Sequence, residues 1–284
     1  MASLLQLKRR IMAAQNVSKT TRAMQMIAAS KLKRAQIAAL SAKTYSEKLS
    51  TISKNVTKKI AQKNIHPYIT SEMKNEKTML IIISPDKGLC GGLITNLVKE
   101  FLDIQKKEYE YIVIGKKIES KIVHFSNNQV IATFDFGTTI PSFETVFPIL
   151  KIIDEYFIKK QVSLVKVLYS SFSNIFSQVP KTETLLPISF EANENSTPED
   201  YLFEPNITTL LPSLLKHYLE MSIYRILLES FASEQASRMI AMQNATTNAK
   251  EVIEELRLDY NKSRQAKITN EILDISNIQK EEDN

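Results

Sequence analysis

The stretch LLQLKRRIMAAQNVSKTTRAMQMIAASKLKRAQIAALSAKTYSEKLSTISKNVTKKI, residues 4–60, decides the fold. Steps of three and four residues link Leu4, Leu7, Ile11, Ala14, Ser18, Thr21, Gln25, Ala28, Leu32, Ala35, Ala39, Ala42, Ser46, Leu49, Ser53, Val56 and Ile60. Most of these residues are apolar and many are small. A 3.5-residue period held this long predicts one long helix in a left-handed coiled coil. Small seam residues let a partner helix approach closely. At about 1.5 Å per residue, some 55 helical residues reach roughly 80 Å, far more than a small domain needs for its own core.

Outward from this stretch, punctuation supports the same reading. Every glycine and proline lies between Pro67 and Pro212, so residues 1–66 and 213–284 contain neither. Gly and Pro are the strongest local breakers of regular structure. The second flank therefore predicts another long helix. Leu214, Met221, Tyr224, Leu228, Phe231, Met242, Ala245, Ala249, Val252, Leu256, Ala266 and Leu273 share a stripe, interrupted by His217, Gln235, Arg238, Asp259, Ser263 and Asn270. The simplest partner for each flank is the other, packed antiparallel; a homodimeric coiled coil from each flank is the alternative. Residues 1–60 and 210–284 thus form a shaft, and residues 61–209 a central domain.

The middle reads as α/β. Met79–Ser84, Tyr111–Gly115, Val130–Phe134, Val162–Phe172 and Lys181–Phe190 have strand character, and Leu93–Lys106 and Phe143–Lys159 helical patterning. A polar connection, 191–205, leads into the second flank. The fold class is an α/β domain inserted between two terminal helices that form an antiparallel left-handed coiled coil.

Charge is unevenly placed. Residues 1–60 hold thirteen Lys or Arg against Glu47 alone, a formal +12; with +6 for the whole chain, the remainder is −6. A basic arm is either a solvated face or a contact for phosphate or acidic protein. A coiled-coil nucleic-acid binder is thus an alternative, but the cations are spread along the helix rather than gathered before a zipper. The single cysteine, Cys90, excludes an internal disulfide. No apolar run reaches the ~18 residues of a membrane span.

Catalytic motifs are scarce. The segment S-P-D-K-G-L-C-G-G-L, residues 84–93, follows a strand and precedes a helix, as phosphate loops do. It matches neither G-x-G-x-x-G nor G-x-x-x-x-G-K-[ST], and a tight strand-to-helix turn is the better reading. His66, His124 and His217 are isolated, and Cys90 in a glycine turn is a weak candidate nucleophile. More unusual is R-A-M-Q-M-I-A-A-S-K-L-K-R, residues 22–34. Met24, Met26 and Ile27 are apolar beyond the seam, as are Met239, Ile240 and Met242 later. A helix apolar beyond its seam is covered by extra core or by a partner, and methionine suits a contact that adapts.

Five segments in order carry a resemblance: K-T-T-R-A-M-Q-M-I-A-A-S-K-L-K-R (19–34), D-K-G-L-C-G-G-L (86–93), D-Y-L-F-E-P (200–205), L-L-E-S-F-A-S-E-Q-A-S-R-M-I-A-M-Q-N-A-T-T-N-A (227–249) and Y-N-K-S-R-Q-A-K-I-T-N-E-I (260–272). Nearly the whole chain resembles the gamma subunit of the F-type ATP synthase. The chain departs from that family at Ile94, where Asn is usual, and at Ile278–Gln279, where a Gly-Ala pair is usual. The resemblance implies a non-catalytic rotor without cofactor, one copy per complex. Its shaft turns inside a ring of alpha and beta subunits; its base rests with epsilon on the membrane c ring. It implies a peripheral protein on the cytoplasmic face of a bacterial plasma membrane, with no nucleic acid as partner. It assigns Met24 and Met26, with Arg264, Gln265 and Thr269, to contacts with the alpha/beta ring. Tyr201 and Glu204 are assigned to contacts with epsilon and the c ring.

Overall fold

A computed structural model describes residues 4–58, 66–69, 77–104, 109–125, 130–190, 204 and 206–282. In chain order the elements are α1 (Leu4–Lys58), β1 (Thr78–Ile83), α2 (Leu93–Ile104), β2 (Tyr109–Ile114), α3 (Lys116–Phe125), β3 (Val130–Phe134), α4 (Val146–Ile158), β4 (Leu164–Phe172), β5 (Gln178–Leu186) and α5 (Ile207–Glu282). Two long terminal helices thus flank a mixed α/β sheet. The chain divides into two compact units, Met1–Ile27 with Met239–Asn284, and Ala28–Arg238.

The first unit is helical, α1 against α5. Every described position of the α1 stripe, from Leu4 to Val56 across both units, is buried or half-buried. Within the unit the hydroxyls of Thr21 and Thr246 meet at 2.7 Å, which pins the register. On α5 the buried positions are Met242, Thr246, Ala249, Ile253 and Leu256. The stripe read from the sequence placed Val252 there, but Val252 is 44% exposed and Ile253 takes its place. A strict 3.5 period and a 3.6-residue helix drift apart, and a four-residue step from Ala249 recovers the larger buried side chain. Burial on α5 ends near Ser263, and Ala266, Asn270 and Leu273 are exposed. The register explains this. Leu4 lies as far before Thr21 as Ser263 lies after Thr246, so α1 is exhausted there. From residue 264 to 282, roughly 28 Å of α5 at ~1.5 Å per residue has no α1 beside it.

The second unit holds the sheet, ordered β3-β2-β1-β4-β5, with β5 antiparallel to β4 and the remaining neighbours parallel. β1 is buried along its whole length. Its alternate residues Leu80 and Ile82 join Leu93, Leu97 and Phe101 of α2 and Ile118 and Ile122 of α3 in one core. Met79, Ile81 and Ile83 point to the other face, 0–1% exposed. β5 starts earlier than expected, at Gln178, and carries Pro180; an edge strand tolerates a residue with no N–H. α3 was not expected from the sequence. Ten residues with three lysines carry a weak apolar stripe, and its burial rests on Ile118 and Ile122.

Helix α5 also starts earlier than expected. Asn206 caps it, its Oδ1 accepting from Thr209 N at 2.9 Å, and Pro212 falls in the second turn. From Met221 to Ala236 nearly every residue is buried or half-buried. One side meets α1 through Ala42, Leu49, Met221 and Leu228. Another meets the sheet: Glu229 Oε1 accepts from Ser171 Oγ at 2.6 Å and Phe172 N at 3.2 Å, and Arg225 bridges Glu183 and Glu229.

Two glycines give a stability test. Both Gly115 and Gly137 have positive φ, but a Cβ on Gly115 would fall 1.9 Å from the carbonyl oxygen of Ser84, whereas one on Gly137 meets nothing within 4 Å. Gly137→Ala should cost about 1–2 kcal/mol, the left-handed penalty alone. Gly115→Ala should cost clearly more, since the β1–β2 connection must part. Thermal melts of the purified variants would show the difference, and equal melting temperatures would contradict it.

Candidate functional site

The turn after β1 is the first candidate. Leu89 and Gly91 take positive φ, which allows the sharp reversal into α2. Three carbonyls of the loop bond the chain's own helix α5. Arg238 donates from Nη2 to the carbonyl oxygens of Lys87 (3.1 Å) and Gly88 (3.3 Å). Ser237 donates from Oγ to the carbonyl oxygen of Cys90 at 2.6 Å. A Cβ on Gly91 would stand 3.4 Å from that same Oγ, an ordinary contact, so it is the positive φ that favours glycine here. The turn therefore receives the chain's own helix, which supports the structural reading of the motif.

Nucleophilic chemistry finds no support at this turn. Cys90 is 1% exposed, and burial pushes its thiol up despite the opposing pull of Arg238. Arg238 is held by Glu234, Nη1 to Oε1 at 2.5 Å, and burial lifts the Glu234 carboxyl above its ordinary range. Among the described residues, no cluster of three or more His, Cys, Asp or Glu side chains has the geometry to hold a metal. His217 bonds Tyr45 Oη at 3.0 Å and Glu220 at 3.2 Å, a link between α1 and α5. A groove of about 800 Å³ runs between α1, β5 and α5. Several of its charges are paired with one another, Lys43 with Glu47, and Lys181 and Arg225 with Glu183.

The residues assigned to partner contacts lie apart. In the helical unit, Met24 is half-buried beside the seam and Met26 is 60% exposed, with Ile27 at 57%. Met242 is buried in the seam. Arg264, Gln265 and Thr269 are all exposed on the segment of α5 beyond α1. The Thr269 hydroxyl donates to the carbonyl oxygen of Gln265 at 3.0 Å, so in this state it bonds its own helix. In the other unit, Glu204 is exposed, while Tyr201 lies outside the described residues. Sequence reasoning missed the exposed Leu5 (58%), Met12 (56%) and Val17 (52%). Leu5, Met12 and Met26 recur at multiples of seven, so a second heptad stripe was there to be read.

Two long antiparallel helices and an α/β sheet, with exposed apolar residues on α1, define the architecture that any relative has to match. The chain belongs to the ATP synthase family, whose sequence profile matches residues 3–277. It is 39% identical over 279 residues to an ATP synthase gamma chain of Dehalococcoides mccartyi, covering 97% of each chain. A gamma chain of Pelagibacter ubique is 35% identical over 285 residues, covering 97% of this chain and 98% of its own. Among solved structures, the central stalk and c ring of the Tetrahymena thermophila mitochondrial ATP synthase has a chain 25% identical, with TM-score 0.60, covering 80% of this chain and 99% of that one. A chain of the Euglena gracilis mitochondrial ATP synthase shares the fold at TM-score 0.69 and 18% identity, over 96% of this chain and 92% of that one. These similarities give the nucleic-acid reading no support.

The burial of Cys90 yields a direct expectation. At pH 8 the native thiol should resist an exposed-thiol reagent such as Ellman's reagent for hours and react fully once guanidinium is added. Rapid reaction of the native chain would show that the turn opens away from α5.

Proposed function

We propose that this chain is the central rotor stalk of a proton-translocating F-type ATP synthase, a non-catalytic subunit that carries rotation between the membrane c ring and the alpha/beta catalytic ring. The observation that carries this reading is the pairing of family membership with a seam that binds α1 to α5 while leaving apolar and polar faces outward. Residues 1–60 and 210–284 act as the shaft, and residues 61–209 as the base. A shaft that presents different residues at different angles biases each surrounding subunit differently, and a bistable subunit responds to such differential contact by changing state. Alpha, beta, epsilon and the c ring are the partners, with one copy of this chain per complex. The chain acts from the cytoplasmic face of a bacterial plasma membrane. No described helix is long and apolar enough to cross a membrane, which fits a peripheral attachment.

On this reading Met24 and Met26 face the beta subunits low on the shaft, and Arg264, Gln265 and Thr269 face a beta loop high on it. Arg grips a carboxylate in bidentate fashion, and Gln and Thr bond a loop backbone. Gln265 and Thr269 are four residues apart and share one face. Tyr201 and Glu204 dock epsilon or the c ring. Native extraction of the chain should bring down alpha and beta ATPase subunits; their absence would remove the central claim.

Met24→Lys places an ammonium on a half-buried position, where it must lose water or find an anion. ATP hydrolysis should persist while proton pumping per ATP falls, measured together in membrane vesicles. An unchanged ratio would argue against Met24 as a coupling contact. The double variant Gln265→Ala with Thr269→Ala should melt like the parent, since both residues are exposed, yet turn over ATP several-fold more slowly in the assembled complex. Normal turnover would mark this face as plain solvated surface.

A further inference from the structure

The motif D-K-G-L-C-G-G-L does more than receive α5, because its first residue reaches across the sheet domain. The Asp86 carboxylate accepts three backbone N–H groups. Oδ1 takes Lys116 N at 3.0 Å and Phe136 N at 3.2 Å, and Oδ2 takes Gly137 N at 2.7 Å. These donors follow β2 and β3, and Asp86 itself follows β1. One side chain thus ties together the connections that leave three adjacent parallel strands at the same end.

The residues next to these ties hold both long helices. Immediately after Asp86, the carbonyls of Lys87 and Gly88 accept from Arg238 of α5, and that of Cys90 accepts from Ser237. Immediately after Gly137, the carbonyl of Thr138 accepts from Lys31 Nζ of α1 at 2.5 Å. Phe136, between the ties, packs its ring 6.2 Å from that of Phe231 on α5. Lys31, Ser237 and Arg238 all lie within about one helical turn of the residues at which α1 and α5 leave this compact unit, Ala28 and Arg238. Arg238 is in turn fixed by Glu234, whose side chain is 4% exposed.

We infer that Asp86 is the keystone of an intramolecular clasp that sets the angular position of α1 and α5 on the α/β body, and is therefore a positioning residue for coupling. The inference rests on the rotor reading above. Torque that passes between the helices and the body loads the fastenings nearest their exit, and these hang from loops that Asp86 holds together. A carboxylate is required because both oxygens accept. Asparagine retains one accepting oxygen and turns an NH₂ toward an N–H; alanine retains neither.

The test uses the assembled complex with the catalytic ring fixed and a rod attached to the α/β body of this chain. Torsional stiffness is read from the rod's angular fluctuation, and proton pumping per ATP from vesicles. Asp86→Asn should lower stiffness about twofold and reduce pumping per ATP, with unloaded hydrolysis near the parental rate. The double variant Lys31→Gln with Ser237→Ala should do the same without disturbing the sheet, and Lys31→Arg with Ser237→Thr should restore stiffness. If Asp86→Asn does not assemble, the helix-side double variant decides alone. Parental stiffness and pumping ratio in that double variant would overturn the clasp. A parental chain that does not assemble with or rotate against a catalytic ring would instead overturn the rotor reading, and exchange protection of the Phe136 and Gly137 amides, lost in Asp86→Asn, would still report on the clasp.

Discussion

A helix that is apolar on one side needs one partner; α5 between Met221 and Ala236 needs two. Leu228 and Met221 face α1, while Arg225 and Glu229 reach the β4–β5 edge and Ser237 and Arg238 reach the turn after β1. This double burial joins helices and sheet into one compact unit. Removing the sheet would strand part-buried polar groups of α5. Glu229 would lose Ser171 and Phe172, and Arg225 would lose Glu183. Losing one member of a buried ionic set is costly because the other stays desolvated.

The same double burial explains what the sequence made legible and what it did not. The α1 seam could be read directly because α1 has one neighbouring helix along most of its length, so its apolar residues keep one period. The α5 pattern between His217 and Arg238 looked interrupted because two faces are superimposed: Gln235, set down as an interruption, is 2% exposed. Further along, Val252 and Ile253 are adjacent β-branched residues, and only a partner's register decides between them. Thr21 and Thr246 supply that register, but neither is apolar and neither stands out by composition. Helix α3 escaped notice because two buried isoleucines in ten residues are too few for a periodicity. Its start is instead marked from a distance, by Asp86 accepting from Lys116 N.

For the candidate site, composition carried more than spacing. The methionines near residue 24 were visible as residues in excess of the seam, and Met26 and Ile27 are exposed, whereas Met242, counted both on the α5 stripe and beyond it, is buried in the stripe. Asp86 gave no sign of its three backbone partners, because two of them lie some fifty residues away in the chain and come together only when parallel strands end side by side.

The segment of α5 past Ser263 has a thermodynamic consequence. This segment continues a helix already nucleated in the seam, so it needs propagation only, but no packing against α1 adds to a propagation factor near one. The Lys267–Glu271 pair, 3.6 Å apart but well exposed, adds a few tenths of a kcal/mol at most. The part of the chain that reaches furthest along the α5 axis therefore carries little cooperativity of its own. Its helix–coil balance therefore rests on local propensity and on the anchored part of α5, so fraying from the end is the cheapest opening this helix offers.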